Sequence, residues 1–377
     1  MKVCHVITKP ELGGAQLSTL NIVRGLPKDS FDVSVITSSR GLLSSDYKSL
    51  KDVKVHALPL LVRHINPILD IIAFINIWHI YRCYKYNIIH THSSKAGMIG
   101  RWAGFFARVP RIIHTVHGWS FNDHQPKTIR NLYIFLERLT AHVTDKIICV
   151  SKTDLETGIK YRIAPRDKFI LIKYGIPIED FRKKIDDLDI KRKEIGIQNQ
   201  DPIIAMVSCL KPQKSPMDYI EACIDVYSQT KDVNFLLIGD GALRKKCLKK
   251  VDEAGLNGRF RFLGWRRDVP ELLSIVDMLI LTSKWEGLPI SLIEGMLKGC
   301  LVVATDTGGN SELIKDSITG YLTKPGYPRE VSRRIIDSIN NPATLKKIRE
   351  KATLSIDETF NASRMVQDVA ELYRRLN

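Results

Sequence analysis

The stretch MLILTSKWEGLPISLIE, residues 278–294, decides the fold of this chain. Its first residues, Met278–Thr282, form a short apolar run followed by polar residues, which is typical of a buried strand. Gly287 permits a close approach of the backbone, and Pro289 suits the first turn of a helix. We therefore predict a strand, a loop and a helix that starts near residue 289. The free N–H groups at such a helix start favour a diphosphate or another anion.

Two carboxylates flank this predicted helix start. Glu286 lies in the loop just before it, and Glu294 lies further into the helix. Like charge repels a carboxylate from a phosphate, so a carboxylate near a phosphate site is expected to bind hydroxyl groups. Sugar hydroxyls fit this role, and two surface glutamates beside a helix cap are the alternative.

Short apolar runs alternate with segments of helical pattern along the whole chain. The first half holds the predicted strands Val3–Ile7, Val33–Thr37, Val53–Leu58, Ile88–Thr91, Ile112–Val116 and Lys146–Val150. The second half repeats the pattern with Ile203–Ser208, Asn234–Ile238, Phe260–Leu263, Met278–Thr282, Leu301–Ala304 and Gly320–Leu322. This alternation predicts an α/β fold with two parallel sheets and right-handed crossovers. Two such sheets facing across a cleft would hold one reactant each, as group transfer requires.

The boundary between the two predicted domains falls in Ile178–Asp201, where basic and acidic residues mix and large apolar residues are few. We expect an N-terminal domain of residues 1–180 and a C-terminal domain of residues 181–359. A last helix, Ala362–Leu376, follows the second set of strands. Its pattern lets it pack on either domain, and we assign residues 360–377 to the N-terminal one.

Charge is unevenly spread along the sequence. The 377 residues include 57 Lys and Arg against 41 Asp and Glu, a formal net charge of +16, and 44% of them are hydrophobic, which is typical of a globular protein. Residues 1–177 carry 25 basic and 12 acidic residues, and residues 178–377 carry 32 and 29. The first half is therefore expected to meet an anionic partner: nucleic acid, an anionic membrane face or a phosphate-bearing substrate.

Two features bear on the compartment of the protein. The seven cysteines are odd in number and contain no C-x-x-C pair, which disfavours a disulfide framework and favours a reducing cytosol. The N-terminus reaches Lys9, Pro10 and Glu11 after a handful of apolar residues, so no cleaved signal peptide is expected.

The most apolar long segment is Ile68–Tyr81, ILDIIAFINIWHIY. It has 14 residues and is interrupted by three polar ones, whereas a membrane-spanning helix needs about 20 apolar residues. We expect a crossover helix that is mostly buried against the sheet. Partial insertion of one face in the bilayer interface is the second interpretation. It is favoured by the neighbouring basic residues Arg63, Arg82 and Lys85.

The spacing E-x7-E after a strand resembles the signature of the family-4 retaining glycosyltransferases, which have two Rossmann-like domains in the GT-B arrangement. Other stretches resemble this family in order along the chain: Gly13–Gln16 (GGAQ), His114–Gly118 (HTVHG), Ile238–Gly241 (IGDG), Phe262–Gly264 (FLG) and Thr307–Glu312 (TGGNSE). Only E-x7-E is specific by itself, but together the stretches cover almost the whole chain. THSSKAG and HTVHGWSF further resemble bacterial enzymes that build lipid-linked capsule, exopolysaccharide and O-antigen repeats.

The resemblance implies a reaction and a set of residues. An activated sugar nucleotide, which we expect to be a UDP-sugar, would bind mainly to the C-terminal domain and the acceptor to the N-terminal domain, and transfer would proceed with retention and without a metal or another cofactor. His117 would lie beside the donor sugar, Glu286 would bind its hydroxyls and Lys214 would neutralise the departing diphosphate. Glu294 would bind the ribose hydroxyls. The implied donor site also includes Gly14, Lys211, Trp265, Arg266, Gly287, Leu288, Pro289 and Ile290, and the implied acceptor site includes Gly13, His92, Ser94 and Lys95.

One position departs from the family pattern. The family usually has Arg five residues before the lysine that corresponds to Lys214, and this chain has Cys209 there. A neutral thiol supplies neither the charge nor the forked geometry of Arg. Lys211 is the nearest substitute, and a solvated loop lysine is the alternative.

The histidines raise the question of a metal site. His90 and His92 alternate along a predicted strand and therefore share a face. No acidic residue or cysteine lies near them in sequence, and the resemblance implies no metal, so we expect none. His92, Ser94 and Lys95 are instead expected to line the acceptor site, with Lys95 on the acceptor pyrophosphate.

Three other functions are weighed against transfer. A dehydrogenase is disfavoured because no G-x-G-x-x-G follows the first strand. A nucleic-acid-binding protein is disfavoured because the basic residues are scattered and no RRM, KH or zinc-finger pattern is present. A sugar-nucleotide epimerase of the same fold is the third alternative, and analysis of the reaction products would distinguish it from a transferase.

The sequence thus predicts a glycosyltransferase that moves a hexose or an N-acetylhexosamine to a polyprenyl-diphosphate-linked saccharide. We expect it in the cytoplasm, peripheral on the inner face of the cell membrane. Its basic N-terminal half would face the anionic lipid, and nucleic acid is not an expected partner.

Overall fold

The computed structural model describes residues 1–62, 64–183, 185 and 187–376. Arg63, one of the basic residues beside the apolar segment, lies outside the described residues. The chain divides into two compact units. Unit 1 comprises Met1–Ile176 and the chain from Asn361 onward, and unit 2 comprises Pro177–Phe360. The boundaries placed from the sequence, at 180/181 and 359/360, lie within a few residues of these.

Unit 1 is built on a parallel sheet. Its strands are β1 Lys2–Val6, β2 Asp32–Thr37, β3 Val53–Ala57, β4 Ile88–His92, β5 Arg111–Val116, β6 Lys146–Cys149 and β7 Phe169–Leu171. They form a seven-stranded sheet in the order β3-β2-β1-β4-β5-β6-β7, in which every pairing is parallel. The connecting helices are α1 Gly14–Gly25, α2 Ser44–Lys48, α3 Pro67–Tyr84, α4 Ser94–Phe106, α5 Lys127–Ala141 and α6 Lys152–Lys160.

Unit 2 repeats this architecture. It opens with α7 Ile178–Arg182 and α8 Leu188–Glu194, and its strands are β8 Ile203–Val207, β9 Asn234–Ile238, β10 Phe260–Gly264, β11 Met278–Leu281, β12 Leu301–Thr305 and β13 Tyr321–Thr323. They pair in parallel in the order β10-β9-β8-β11-β12-β13. The remaining helices are α9 Pro216–Gln229, α10 Arg244–Glu253, α11 Val269–Leu273, α12 Ile290–Leu297, α13 Asn310–Leu313, α14 Pro328–Asn340 and α15 Pro342–Ser355. The last helix, α16 Ala362–Leu376, returns to unit 1.

The predicted α/β fold with two parallel sheets is confirmed. All twelve predicted strands are present with ends that differ by one residue at most. Strand β7 was not predicted, because it is only three residues long and follows a basic turn. The stretch Ile178–Asp201, expected as a seam poor in large apolar residues, instead contains α7 and α8, and Ile178 and Phe181 are buried.

Helix α16 belongs to unit 1, the N-terminal domain to which the sequence assigned it, and it packs there on α1. Its buried face consists of Met365, Val366, Val369, Ala370, Leu372 and Tyr373. The two helices lie so close that a Cβ on Gly25 would be 2.9 Å from a Val366 methyl carbon. A glycine in α1 therefore sets how closely the last helix covers the sheet of unit 1.

Helix α3 differs from the expectation. Its buried residues are Ala73, Ile77 and Tyr81, one narrow stripe, while Ile68 is 72% exposed and Ile71 is 61% exposed. The helix is apolar on almost every face, and the rest of unit 1, chiefly α4 and the sheet, covers only one of them. The prediction that it is mostly buried is therefore wrong. No described helix is long and apolar enough to cross a membrane.

Gly175 lies where the C-terminal segment returns to unit 1. Next to it, Ala362 N donates to Ile176 O at 2.9 Å. A Cβ on Gly175 would lie 2.3 Å from Asn361 O. Gly175→Ala is therefore expected to push α16 outward and to lower the free energy of unfolding by about 2 kcal/mol, or the melting temperature by roughly 4–8 °C. Gly258→Ala, whose Cβ would contact nothing within 4 Å, is the control. Equal melting temperatures for the two variants would contradict this packing.

Candidate active site

Four loops of unit 2 meet at one edge of its sheet. β8 lies between β9 and β11, and β12 lies beside β11. Because these strands are parallel, their carboxyl ends share an edge, which is where open parallel sheets bind ligands. The loops that leave this edge span residues 208–215, 239–243, 282–289 and 306–309.

Lys214 and Glu286 are in direct contact at this edge. The Lys214 ammonium forms an ion pair with Glu286 Oε1, and Ser283 Oγ donates to the same oxygen at 2.5 Å. The side chain of Lys214 is 17% exposed and that of Glu286 is 6% exposed. Thr282 Oγ1 donates to Ser215 O at 2.9 Å and so connects the turn that contains Lys214 to the end of β11. Two of the predicted catalytic residues, 72 positions apart in sequence, thus form one site.

Two glycines hold a second loop against Glu286. Gly308 has φ +54°, and a Cβ there would lie 2.0 Å from Glu286 O. Gly309 N donates to Gly287 O at 2.8 Å. The left-handed backbone and the close approach both favour glycine at position 308. The Gly-Gly segment after β12 therefore fixes the loop that carries Glu286.

The predicted helix start near residue 289 is confirmed. Helix α12 begins at Ile290, and Pro289 is its N-cap rather than its first residue. The side chains of Leu288 and Ile290 are buried in the core. Gly287, Leu288, Pro289 and Ile290 can therefore meet a ligand chiefly through the backbone, and their part in donor binding stays a prediction.

Glu294 lies in the second turn of α12. Burial raises its pKa to about 7, and no neighbouring charge contributes to the rise. Such a carboxylate is poorly solvated, so hydroxyl groups that donate to it would stabilise its ionised form. This is the environment expected for a carboxylate that binds sugar hydroxyls.

Lys211 lies in the same turn as Lys214. Its N–H donates to Cys209 O at 2.9 Å, and Lys214 N donates to Lys211 O at 3.0 Å. The chain thus carries two lysines where β8 ends, three residues apart. The substitution of Lys211 for the arginine of the family stays a prediction.

Arg266 has partners that the sequence did not indicate. Its guanidinium binds Asp268 at 2.6 Å and Glu194 at 2.5 Å, and Lys191 binds the same two carboxylates at 2.7 Å. The hydrogen bonds with Asp268 and Glu194 raise the pKa of Arg266. These contacts join α8 to the loop after β10, the edge strand of the sheet. The guanidinium is thus engaged in a structural charge cluster, and donor binding by Arg266 and Trp265 stays a prediction.

In unit 1 the predicted acceptor residues lie at the carboxyl ends of β1 and β4, which are neighbours in the sheet. Gly13 is the extended N-cap of α1, and Gly14 is the first residue of that helix. Ser94 is the exposed first residue of α4. The Lys95 ammonium, expected on a pyrophosphate, forms an ion pair with Asp70 on α3.

His92 does not lie on the surface of unit 1. It is fully buried, and its ring nitrogens are hydrogen-bonded to His5 at 3.0 Å and to His117 at 3.1 Å. His117, one residue beyond β5, is also hydrogen-bonded to the Tyr174 hydroxyl. Burial lowers the pKa of His117 to about 3, so its ring is neutral at pH 7. The histidine expected to line the acceptor site thus lies behind His117.

Among the described residues, His5, His90 and His92 form a group whose ring nitrogens lie within 4.8 Å of one another. These nitrogens already have hydrogen-bond partners. His90 is hydrogen-bonded to the hydroxyls of Tyr373 at 2.5 Å and Thr115 at 2.7 Å. The group contains no carboxylate or thiol. The geometry therefore favours a hydrogen-bonded network of neutral rings.

Sequence reasoning missed four residues near these sites. Ser283 lies inside the quoted stretch, and a hydroxyl three residues before Glu286 was a usable signal. His5 lies on β1, whose position beside β4 depends on the strand order. Tyr174 and Tyr373 gave no local signal, because only the tertiary packing brings them to the histidines.

The raised pKa of Glu294 makes stability depend on pH. Its pKa in the folded state exceeds the ordinary value of 4.5, so its ionisation lowers the stability of unit 2 as pH rises from about 4.5 to about 7. Glu294→Gln removes this cost and is expected to stabilise the protein by about 1–2 kcal/mol more at pH 8 than at pH 5. Urea unfolding at both pH values measures this, with exposed Glu253→Gln as the control. A Glu294→Gln effect of equal size at both pH values would contradict the assignment.

Comparison with known proteins identifies the family. Residues 12–180 match the model described as Glycosyltransferase Family 4, and residues 187–355 match the model described as Glycosyl transferases group 1. The chain is 31% identical over 376 residues to the UDP-Gal:alpha-D-GlcNAc-diphosphoundecaprenol alpha-1,3-galactosyltransferase of Escherichia coli, and the match covers 99% of this chain and 96% of the relative. It is 25% identical over 253 residues to the N-acetyl-alpha-D-glucosaminyl L-malate synthase of Bacillus anthracis, covering 62% and 66% of the two chains.

Solved structures share the fold. Anabaena Alr3699/HepE in complex with UDP and glucose superposes with a TM-score of 0.86 at 22% identity, covering 100% of both chains. WaaG, a glycosyltransferase involved in lipopolysaccharide biosynthesis, gives a TM-score of 0.80 at 16% identity, covering 98% of this chain and 99% of WaaG. With these matches across both units, the chain belongs to glycosyltransferase family 4, with its two Rossmann-like domains, and is a glycosyltransferase.

Proposed function

We propose that the protein transfers a hexose or an N-acetylhexosamine from a UDP-sugar to a saccharide linked to polyprenyl diphosphate, with retention of configuration. The reaction would serve the synthesis of a cell-surface polysaccharide. The name of the Escherichia coli relative, with UDP-Gal as donor and a diphosphoundecaprenol-linked sugar as acceptor, supports these substrate classes. The structural observation that carries the proposal is the contact between Lys214 and Glu286.

The charges at the edge of the unit 2 sheet match the parts of a UDP-sugar. The Lys214 ammonium and the N-terminus of α12 would bind the diphosphate. Glu286 would accept hydrogen bonds from the hydroxyls of the sugar, and Glu294 from those of the ribose. The ion pair between Lys214 and Glu286 holds both groups in place before the donor arrives, so little reorganisation is needed on binding.

In the transfer, the bond between the anomeric carbon and the diphosphate oxygen breaks. The bond to the acceptor oxygen forms on the same face of the sugar, and the acceptor hydroxyl gives its proton to the departing diphosphate. Lys214 stabilises the negative charge that develops on this leaving group. Because this is the role that a divalent cation fills elsewhere, we include in the proposal that no metal is required.

We also propose that unit 1 binds an anionic membrane surface through α3, α4 and α5. Exposed apolar side chains lie on all three helices, with Ile71 61% exposed on α3, Phe106 58% exposed on α4 and Phe135 59% exposed on α5. The helices are neighbours, since Phe74 on α3 packs on Phe106 with ring centroids 6.0 Å apart, and Trp102 on α4 donates to an α5 hydroxyl.

The same three helices also carry exposed basic side chains, on the helices or just beyond their ends: Arg82, Lys85, Arg108, Lys127 and Arg138. An anionic lipid surface attracts each such residue by about 1 kcal/mol, and large exposed apolar faces favour the bilayer interface. The combination supports peripheral binding next to a lipid-linked acceptor.

Substitutions at the ion pair test the donor site. Lys214→Ala is expected to lower kcat by about 10²–10³-fold, because it removes the charge that meets the leaving group. Glu286→Gln is expected to keep the fold and to lose most of the activity. The measurement is UDP release in a screen of UDP-sugars with a lipid-linked acceptor, with and without EDTA.

The control for this test is Lys245→Ala, an exposed lysine on α10 that is expected to leave kcat unchanged. Chelation is expected to change nothing, and inhibition by EDTA that added metal reverses would overturn the metal-free part of the proposal. Full activity in Lys214→Ala, or no UDP release with any donor, would overturn the site.

Substitutions on α3 test the membrane face. The double variant Ile71→Glu with Ile75→Glu places two charges on the exposed face of that helix and is expected to weaken binding to anionic vesicles at least tenfold. Co-sedimentation with phosphatidylglycerol-containing vesicles measures this. The matched control is Ile190→Glu with Leu354→Glu, since both residues are exposed in unit 2. Equal loss of binding in both double variants would contradict the assignment to α3.

A further inference from the structure

A continuous series of hydrogen bonds runs through unit 1 and reaches His117; we call it the histidine chain. Its members, in order, are Thr115, His90, Tyr373, His5, His92, His117 and Tyr174. The first five contacts measure 2.7, 2.5, 3.3, 3.0 and 3.1 Å. The sixth joins His117 to the Tyr174 hydroxyl. Four histidines are therefore connected without a break.

The sheet order explains why these residues meet. β1, β4 and β5 are neighbours, and the register pairs His5 with His90 and His92 with Thr115. Alternation along β4 places His90 and His92 on the same face of the sheet. Helix α16 brings the Tyr373 hydroxyl between His90 Nδ1 and His5 Nε2. A residue near the C-terminus thus completes the series.

Each histidine in the series uses both of its ring nitrogens. A neutral imidazole has one N–H donor and one acceptor nitrogen, so each ring passes on the direction of the hydrogen bond that it receives. The tautomer of His117 is therefore coupled to those of three other rings and to the direction of the Tyr373 hydroxyl. Hydrogen bonds in such a network polarise and strengthen one another, which isolated pairs do not do.

The rings in this series are neutral at pH 7. Burial lowers the pKa values of His5 and His117 to about 3. Burial and the neighbouring histidines hold the pKa values of His90 and His92 well below the ordinary value. A proton added to any of them would be a buried charge, which is costly without a partner. The histidine chain therefore fixes the orientation of its rings and carries no charge.

We propose that His92, His5, His90 and Tyr373 are positioning residues that hold His117 in one tautomer and one ring orientation. The consequence for transfer rests on the proposed function and on the place beside the donor sugar that the family resemblance implies for His117. A ring fixed in this way has little rotational freedom left to lose in the transition state. Among these four residues, Tyr373 is the one whose hydrogen-bonding group can be removed with the least change in shape.

The direct test measures tautomers in the full-length protein without substrate. Long-range ¹H–¹⁵N spectra of ¹⁵N-histidine-labelled protein are expected to show His117 as a single neutral tautomer. In Tyr373→Phe, His117 is expected to show the other tautomer or a mixture, although this residue lies three hydrogen bonds away from it. Thr115→Val removes the hydroxyl at the other end of the series and serves as a second variant should Tyr373→Phe fail to fold. Unchanged His117 signals in a folded variant would overturn the proposal.

The matched control is Tyr81→Phe. Tyr81 is buried in unit 1, and its hydroxyl has no hydrogen-bond partner among the described residues. This control is expected to leave the signals of His117 unchanged. A shift of those signals equal to the one in Tyr373→Phe would show a general packing effect and would overturn the proposal.

Kinetics provide the second readout. Tyr373→Phe is expected to lower kcat roughly tenfold with little change in the donor KM, and Tyr81→Phe is expected to change neither. The spectra need no substrate, so they test the positioning of His117 even if the donor screen finds no transfer. A failure of this proposal can therefore be distinguished from a failure of the proposed function. Metal analysis closes the test. Stoichiometric zinc that disappears in His5→Gln would assign the three histidines as metal ligands and would overturn the histidine chain.

Discussion

Parallel pairing of the strands is the constraint on which both sites depend. In unit 2 it brings the loops after β8, β9, β11 and β12 to one edge, so that Lys214 and Glu286 touch although 72 positions separate them. A partly buried ion pair of this kind contributes little net stability, because both charges lose water. In the proposed function its value is geometric, because a cation and a carboxylate hold each other where the diphosphate and the sugar hydroxyls of the donor would bind.

The same constraint has a different chemical result in unit 1. There the neighbouring strands β1, β4 and β5 carry histidines instead of an ion pair, and burial keeps their rings neutral. The edge of the unit 2 sheet thus carries the charges that the proposed function assigns to an anionic donor. The interior of unit 1 instead contains neutral rings whose hydrogen bonds fix one another's direction. Most of the excess positive charge of the chain lies in the first half of the sequence, where α3, α4 and α5 expose apolar side chains. The half expected to meet an anionic partner therefore also contains the helices of the proposed membrane face.

The sequence predicted those features that local pattern controls. The twelve strands, the helix start near residue 289 and the presence of α16 follow from apolar periodicity and from Pro and Gly positions. The sequence did not predict features that depend on contacts between residues distant in sequence. The apolar pattern of α3 could not show that only Ala73, Ile77 and Tyr81 of that helix are buried. Nor could it show that Arg266 binds Glu194 of a preceding helix, or that Tyr373 reaches His5 and His90.

The central claim is that this chain forms a glycosidic bond with retention at a site organised by Lys214 and Glu286. The most direct measurement is the anomeric configuration of the product, read by NMR after reaction of an α-linked UDP-sugar with a polyprenyl-diphosphate-linked acceptor. The account predicts an α-linked product together with stoichiometric release of UDP. A β-linked product, or consumption of the UDP-sugar without transfer to the acceptor, would contradict it.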